Sequence, residues 1–336
     1  MPLLSVTNLS TSFHSRRGTV RVVNSVGFNI DKGETLGIAG ESGSGKSVLC
    51  YSLTGLVPQP PGTIESGEAL FDGCDLLKCT TEKLRSIRGN RIGMIFQDPM
   101  TSLNPYLSIG SQLVEPLTIH RGLSKKEASA RGIDALTEVG IQDAPRRMRQ
   151  FPHEFSGGMR QRVMIAMALI NNPDLVIADE PTTALDVTVQ AQILDLIGAL
   201  QHKHNSAVIL VTHDLGVIAG ICKRVMIMYA GRVLESGSAG QVLSRPRHPY
   251  TFALQKSMPA FTKRGNELYT IPGAPPDLSR EIIGCPFAPR CEFKIDKCVN
   301  GPCQLLVHKD GHATACVRIN DGDLLLDTKY RAGFTE

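Results

Sequence analysis

Glu34-Thr35-Leu36-Gly37-Ile38-Ala39-Gly40-Glu41-Ser42-Gly43-Ser44-Gly45-Lys46-Ser47-Val48-Leu49-Cys50 is the stretch that decides the fold. Residues 34–39 form a short apolar run that ends at glycine and reads as a strand, and residues 47–56 read as a helix. A glycine-rich loop lies between them. Strand, loop and helix in that order are the setting in which G-x-x-x-x-G-K-[ST] forms a phosphate-binding loop, and residues 40–47 match the pattern completely. Glycines let the backbone wrap closely around phosphates, so that amides face the oxygens, and the following helix adds its positive end. The pattern assigns Gly40, Glu41, Ser42, Gly43, Ser44 and Gly45 to the cradle, Lys46 to the β- and γ-phosphates of ATP, and the Ser47 hydroxyl to Mg²⁺. The bland alternative is a glycine-rich turn that merely joins strand to helix.

Further along, residues 175–178 form an apolar run that ends in Asp179-Glu180. A buried parallel strand presents such carboxylates at its C-terminal end, where α/β sheets bind ligands. Asp179 suits Mg²⁺ through water, and Glu180 suits polarising an attacking water. Around this strand the pattern alternates: helix 187–200, strand 207–211, helix 214–222, strand 224–229. Residues 20–30 read as a half-buried strand near the start. Residues 97–171 are instead helical throughout, with 124–139 and 159–170 carrying apolar residues at helical spacing. The expected fold class is therefore an α/β core with a mostly parallel sheet and a helical insertion.

Composition narrows the function classes. The chain has 336 residues, 42% of them hydrophobic, and a net charge of only +4, which argues against a dedicated nucleic-acid binder. The longest apolar run, residues 163–170, is far short of the ~18 needed to span a bilayer. The first ten residues lack the basic and apolar blocks of a signal peptide. These features predict a cytoplasmic protein, so any membrane-spanning work falls to other chains. Arg146, Arg147, Arg149, Arg160 and Arg162 form a local basic cluster, read as a solvated or partner-facing surface.

Proline-rich stretches after residue 245 mark a change of organisation. Residues 1–245 read as the main domain and 246–336 as an extension whose cysteines cluster at 285–316. Cys285, Cys291, Cys298 and Cys316 are separated by five, six and seventeen residues, with Cys303 as a fifth member that could replace Cys298. In a reducing cytosol such a cluster suggests a metal more than disulfides. Four thiolates hold either zinc or an iron–sulfur cluster, while a set of reduced structural thiols is the plain alternative.

Phe155-Ser156-Gly157-Gly158-Met159-Arg160-Gln161-Arg162, ahead of an apolar helix, resembles the signature motif of ABC-type ATPases. With it, Gln97 in MIFQDPMTSLNP resembles their Q-loop, Thr183-Ala184-Leu185-Asp186 their D-loop, and His213 in LVTHD their switch histidine. Phe13 sits where that family stacks an aromatic on adenine. The resemblance covers residues 3 to 260. It implies a P-loop nucleotide-binding domain with a helical subdomain at about 97–171 and an antiparallel β part. It also implies two such domains closing head to tail, so that Ser156, Gly157, Gly158 and Met159 touch the ATP of the partner. Catalytic roles then fall to Glu180, His213 and Gln97, with Gln97 also a Mg²⁺ ligand beside Ser47 and Asp179. Phe155 and Met159 depart from the family consensus of leucine and glutamine, but the Ser-Gly-Gly core is kept and peptide-importer ATPases share the FSGGM run.

Arg247-His248-Pro249-Tyr250-Thr251, Ile271-Pro272-Gly273 and Gly284-Cys285-Pro286-Phe287-Ala288-Pro289-Arg290-Cys291 resemble the C-terminal region of bacterial oligopeptide, dipeptide and nickel importer ATPases. The resemblance implies a paralogous ATPase partner, two membrane-spanning chains, an external binding protein and a peripheral place on the cytoplasmic face of the bacterial inner membrane. It also implies a four-iron, four-sulfur cluster on Cys285, Cys291, Cys298 and Cys316. The expected function is ATP-driven import of peptides or related small solutes. Two rivals are a soluble ABC ATPase acting on nucleic acid, which would carry long coiled coils or DNA-binding insertions, and a regulatory module that holds ATP without turnover, against which Glu180 and His213 speak.

Overall fold

The computed structural model describes residues 1–16, 18–183, 185–258 and 269–326. The chain divides into two compact units: Met1–Leu4, Asn29–Thr35 and Leu70–Val211 form the first, and Ser5–Phe28, Leu36–Ala69 and Thr212–Glu336 the second.

In the first unit the strand Leu175–Asp179 lies between Ile92–Ile95 and Ala207–Thr212, parallel to both, with Ile92 opposite Leu175 and Leu175 opposite Ala207. Leu175–Asp179 is buried at every residue. A central parallel strand is covered on both faces, which is why its sequence is continuously apolar rather than alternating. The helical insertion holds the helices Ile109–Arg121, Lys125–Glu138 and Gly157–Leu169. Each starts on a serine whose hydroxyl accepts a main-chain N–H of the first turn, and at Ser124 the reciprocal bond from Glu127 completes a capping box. Lys125–Glu138 buries Ala128, Gly132 and Leu136, one residue per turn.

In the second unit the strands Gly18–Ile30, Leu4–Ser15 and Gly62–Phe71 lie side by side in that order. A separate set holds Thr35–Ala39, which runs parallel to Arg224–Tyr229 with Leu36 opposite Arg224. Arg224–Tyr229 then turns back through Arg232–Ser238, antiparallel. This hairpin was not expected from the alternation of strands and helices. Beyond it the tail supplies Ala313–Thr314, antiparallel to Arg232–Ser238, and Leu306–Val307 as the next strand. The tail is thus stitched to the sheet that carries the phosphate loop.

Element boundaries shift modestly from expectation. The first helix runs Lys46–Thr54 and stops at Gly55, whose φ of 61° is the left-handed conformation that ends helices. The helix expected at 187–200 continues as Val187–His204 and closes on Asn205, also left-handed. Among the described residues no helix is long and apolar enough to cross a membrane.

Candidate nucleotide site

The phosphate loop is shaped by what cannot fit. A Cβ on Gly40 would lie 2.1 Å from the Met228 carbonyl oxygen, and one on Gly45 2.4 Å from that of Val22. Gly45 also takes φ 100°, which side chains resist, and hands the chain into the helix Lys46–Thr54 without a side-chain cap. Every other described helix of eight residues or more begins on a residue whose side chain caps it. Here the first-turn amides are left for an anion, which is how such loops hold phosphate. Lys46 is buried and folds back over the loop, its Nζ donating to the carbonyls of Gly40 (2.8 Å) and Glu41 (3.0 Å). An ammonium resting on two neutral carbonyls can exchange them for phosphate oxygens, which pair with it more strongly. Ser42 and Gly43 are exposed at the tip, Ser44 is buried, and Ser47 is half-buried one residue into the helix.

Two residues outside the loop also hold it. The Glu41 amide donates to the Tyr250 hydroxyl at 2.8 Å, and the Glu41 carboxylate is gripped by Arg290. Neither was a candidate from sequence, although both fall inside the tail motifs. His213 follows the strand Ala207–Thr212 in an exposed turn, and Asp214 next to it caps the helix Leu215–Ile221. Phe13 is half-buried, 3.2 Å from where a side chain on Gly62 would begin.

In the first unit, fully buried Asp179 ends the central strand. Glu180 follows with φ 46°, a strained backbone for a non-glycine residue and of the kind that gathers at functional sites. Its amide donates to the Val211 carbonyl at 2.9 Å. Its Oε2 accepts from Gln97 Nε2 at 3.2 Å and from Thr183 Oγ1 at 2.9 Å, so the carboxylate is aimed by two donors. Gln97 and Glu180, 83 residues apart in sequence, are thereby brought together. Thr183 was quoted in sequence only as part of a motif, and its hold on Glu180 was not foreseen. A buried carboxylate at a strand end followed by an oriented second one suits Mg²⁺ and a polarised water respectively.

Ser156 caps the helix Gly157–Leu169 and is exposed together with Gly157, while Gly158 and Met159 are half-buried. Phe155 is buried, with the Arg147 guanidinium 5.7 Å over its ring, so the departure from leucine is a matter of packing. Asp186 caps Val187–His204 by accepting the Val189 amide at 2.9 Å; Ala184 of the same motif lies outside the described residues. Of the basic cluster read as a solvated or partner-facing surface, Arg160 and Arg162 are half-buried and also engaged inside their own unit. Arg160 donates to the Pro152 carbonyl and touches the Met100 sulfur, and Arg162 donates to the Val139 carbonyl and to Gln192. Arg146 and Arg149 are exposed.

Cys285, Cys291, Cys298 and Cys316 line one small cavity together with His248. Cys303 stands apart: its thiol hydrogen-bonds with Cys285 and faces Arg232, which hold it below the usual thiol range. The hydrogen bond with Cys303 and burial push the Cys285 thiol up, and burial raises Cys291 to about 11. His248 Nε2 lies 3.7 Å from Cys285 Sγ, and burial lowers His248 to about 3, so its ring is neutral. The donor set is right in kind for zinc or an iron–sulfur cluster. The arrangement is not: among the described residues no three His, Cys, Asp or Glu side chains are grouped to hold a metal ion. The iron–sulfur expectation thus has no support in this geometry beyond the shared cavity.

Comparisons with known proteins agree with the motifs. Residues 23–183 match the ABC transporter family model, and residues 234–298 match that of the oligopeptide/dipeptide transporter C-terminal region. The oligopeptide transport ATP-binding protein OppD of Haemophilus influenzae is 50% identical over 315 residues, covering 94% of this chain and 97% of that protein. OppD of Bacillus subtilis is 52% identical over 297 residues, covering 88% and 83%. Among solved structures, a dimeric bacterial ABC transporter cassette is similar at a TM-score of 0.63 and 30% identity, over 70% of this chain and 98% of that one. The same cassette dimer in a post-hydrolysis state with ADP and phosphate gives 0.63 and 29%, with the same coverage. Two family models together span most of the two regions, the relatives are half identical over nearly the whole chain, and the chain belongs to the family of ABC transporter ATP-binding proteins of the oligopeptide transport type.

Proposed function

We propose that this chain is the ATP-hydrolysing subunit that powers import of peptides or related small solutes across a bacterial inner membrane, working on its cytoplasmic face. The observation that carries the reading is the phosphate loop, with its uncapped helix and its buried lysine parked on two carbonyls. The loop amides and Lys46 hold the β- and γ-phosphates. Ser47, Gln97 and Asp179 are the residues suited to Mg²⁺, which when bound neutralises charge on the phosphate oxygens. Glu180, aimed by Gln97 and Thr183, polarises the attacking water, and His213 contacts the γ-phosphate and holds that water in place. Phe13 stacks on the adenine.

Ser156, Gly157, Gly158 and Met159 close on the ATP of a paralogous ATPase partner, with Asp186 in the adjoining loop. ATP then acts as a clamp between two subunits, and hydrolysis reopens it. Two membrane-spanning subunits convert the motion into transport, and an external binding protein delivers cargo. Residues 1–245 are the nucleotide-binding domain and 246–336 a cysteine-bearing extension. Within the extension, Cys285, Cys291, Cys298 and Cys316 are the thiols that would hold an iron–sulfur cluster, and no step above runs through it. Metal analysis and a visible spectrum of anaerobically purified protein test that part on its own; a colourless, metal-free protein removes it.

The reading as a whole is tested in vesicles carrying the complete complex. ATP-dependent peptide uptake that vanishes with Glu180→Gln in this chain is the expected result. Uptake of neither peptides nor related solutes by the active complex would overturn it.

A further inference from the structure

The side chain of Arg290 is 6% exposed and has all five guanidinium N–H groups occupied. Nη1 donates to Glu41 Oε2 (2.7 Å) and to the Tyr229 hydroxyl (3.1 Å), and Nη2 to Glu41 Oε1 (3.2 Å) and to the Ile271 carbonyl (3.3 Å). Nε donates to the Pro272 carbonyl at 3.0 Å. The guanidinium also lies over the rings of Tyr229 (5.8 Å) and Phe287 (5.9 Å). Those rings and Tyr250 are mutually packed with centroids 4.5 to 5.5 Å apart. Glu41, the second residue of the phosphate loop, is consequently held at three points: carboxylate by Arg290, amide by Tyr250 and carbonyl by Lys46. Two of the three holders come from beyond residue 245. A two-pronged guanidinium–carboxylate pair fixes direction as well as distance. It also neutralises a carboxylate that stands on a loop built to receive a polyanion.

We propose that Arg290 is a positioning residue for ATP binding: through Glu41 it holds the phosphate loop in its binding shape and cancels a negative charge that would repel the triphosphate. The proposal rests on the reading of residues 40–47 as the ATP loop. Removing Arg290 alone does two kinds of harm, because the loop loses an anchor and the stranded carboxylate faces the nucleotide. Removing Glu41 as well takes away the second.

The test measures dissociation constants for MgATP on the purified full chain, with melting temperature and circular dichroism as a check on folding. Arg290→Gln should weaken ATP binding about tenfold while the protein stays folded. Arg290→Lys, which keeps the charge and loses the fork, should fall between it and wild type. The double variant Arg290→Gln with Glu41→Gln should bind ATP more tightly than Arg290→Gln alone. If Arg290→Gln and Arg290→Lys melt earlier yet bind ATP like wild type, Arg290 only fastens the tail and the proposal fails. It fails too if the double variant binds no better than Arg290→Gln. Wild-type protein that binds no ATP would instead bring down the reading of the loop itself, and this inference with it.

Discussion

The phosphate loop and the segment from Cys285 to Cys316 are both short, chemically conspicuous stretches of the second unit, yet they are built over different distances. In the loop, Lys46 reaches carbonyls five and six residues back. In the tail, Arg290 reaches Glu41 across 249 residues and His312 reaches Glu235 across 77. A site made by local backbone can be read from spacing, because spacing fixes which amides and carbonyls meet. A site made by distant side chains cannot, because the pairing exists only once the sheets have formed. The cysteines are the conspicuous residues of the tail, while its arginine and histidine make the buried charged and polar pairs with the rest of the unit, beside the strand pairing of Ala313–Thr314.

This contrast predicts that damage to the catalytic motifs removes chemistry and leaves the fold, whereas damage to the tail's long-range pairs removes stability or affinity and leaves the chemistry. The largest effect belongs to Glu180→Gln, for which turnover should fall by about a hundredfold or more while ATP still binds. Steady-state hydrolysis and nucleotide binding on the same preparation check this, and unchanged turnover would remove Glu180 from its role. Next comes Lys46→Ala. Losing one charge-assisted partner of the phosphates should weaken ATP binding by roughly tenfold to a hundredfold, with an unaltered melting temperature.

His312→Ala should do the opposite. His312 Nε2 lies 2.7 Å from Glu235 Oε1, the two side chains are 1% and 0% exposed, and the Arg247 amide also donates to Glu235 at 2.6 Å. Burial holds the Glu235 carboxyl above its usual range. Breaking such a pair costs about 3 kcal/mol, visible as a lower urea midpoint, while Michaelis constants measured well below that midpoint stay put. A loss of ATP affinity without loss of stability would blur the distinction.

The smallest effect is a pH dependence. Arg247 donates to both oxygens of Asp310 (2.9 and 2.6 Å) and holds its carboxyl below the ordinary 3.8, at about 2. The folded state thus binds this proton less readily than the unfolded chain. The stability contributed is complete above pH 3.8 and drains away as the pH falls from 3.8 to about 2. Asp310→Asn should lower the urea midpoint at neutral pH and flatten its acid limb over that window, so that variant and wild type converge near pH 2.

Much of the first unit was legible from residues. The run before Asp179-Glu180 was read as a buried strand and is one, because a strand covered on both faces has no polar positions to disguise it. The periodic segment beginning at Ser124 was read as helical and does start on that serine's cap, whereas the helix starts after Ser108 and Ser238 were not read. The hairpin Arg232–Ser238 was missed because an antiparallel strand after a parallel one carries no signal in an alternating pattern. In the basic cluster, the bonds of Arg160 and Arg162 to the Pro152 and Val139 carbonyls were not legible, because carbonyl acceptors leave no mark in composition.

The sequence by itself determined the phosphate loop, the carboxylates at the strand end and the family, since each depends on residue types at fixed short spacings along an obligatory backbone geometry. Only the tertiary structure decided that Gln97 and Thr183 aim Glu180, that the four cysteines share a cavity without being grouped to hold a metal, and that Arg290 holds Glu41. Thr183 is only three residues from Glu180, but the other pairings join residues that chain order leaves far apart, and a guanidinium finds its carboxylate only when packing has removed water and placed the two within a hydrogen bond's length.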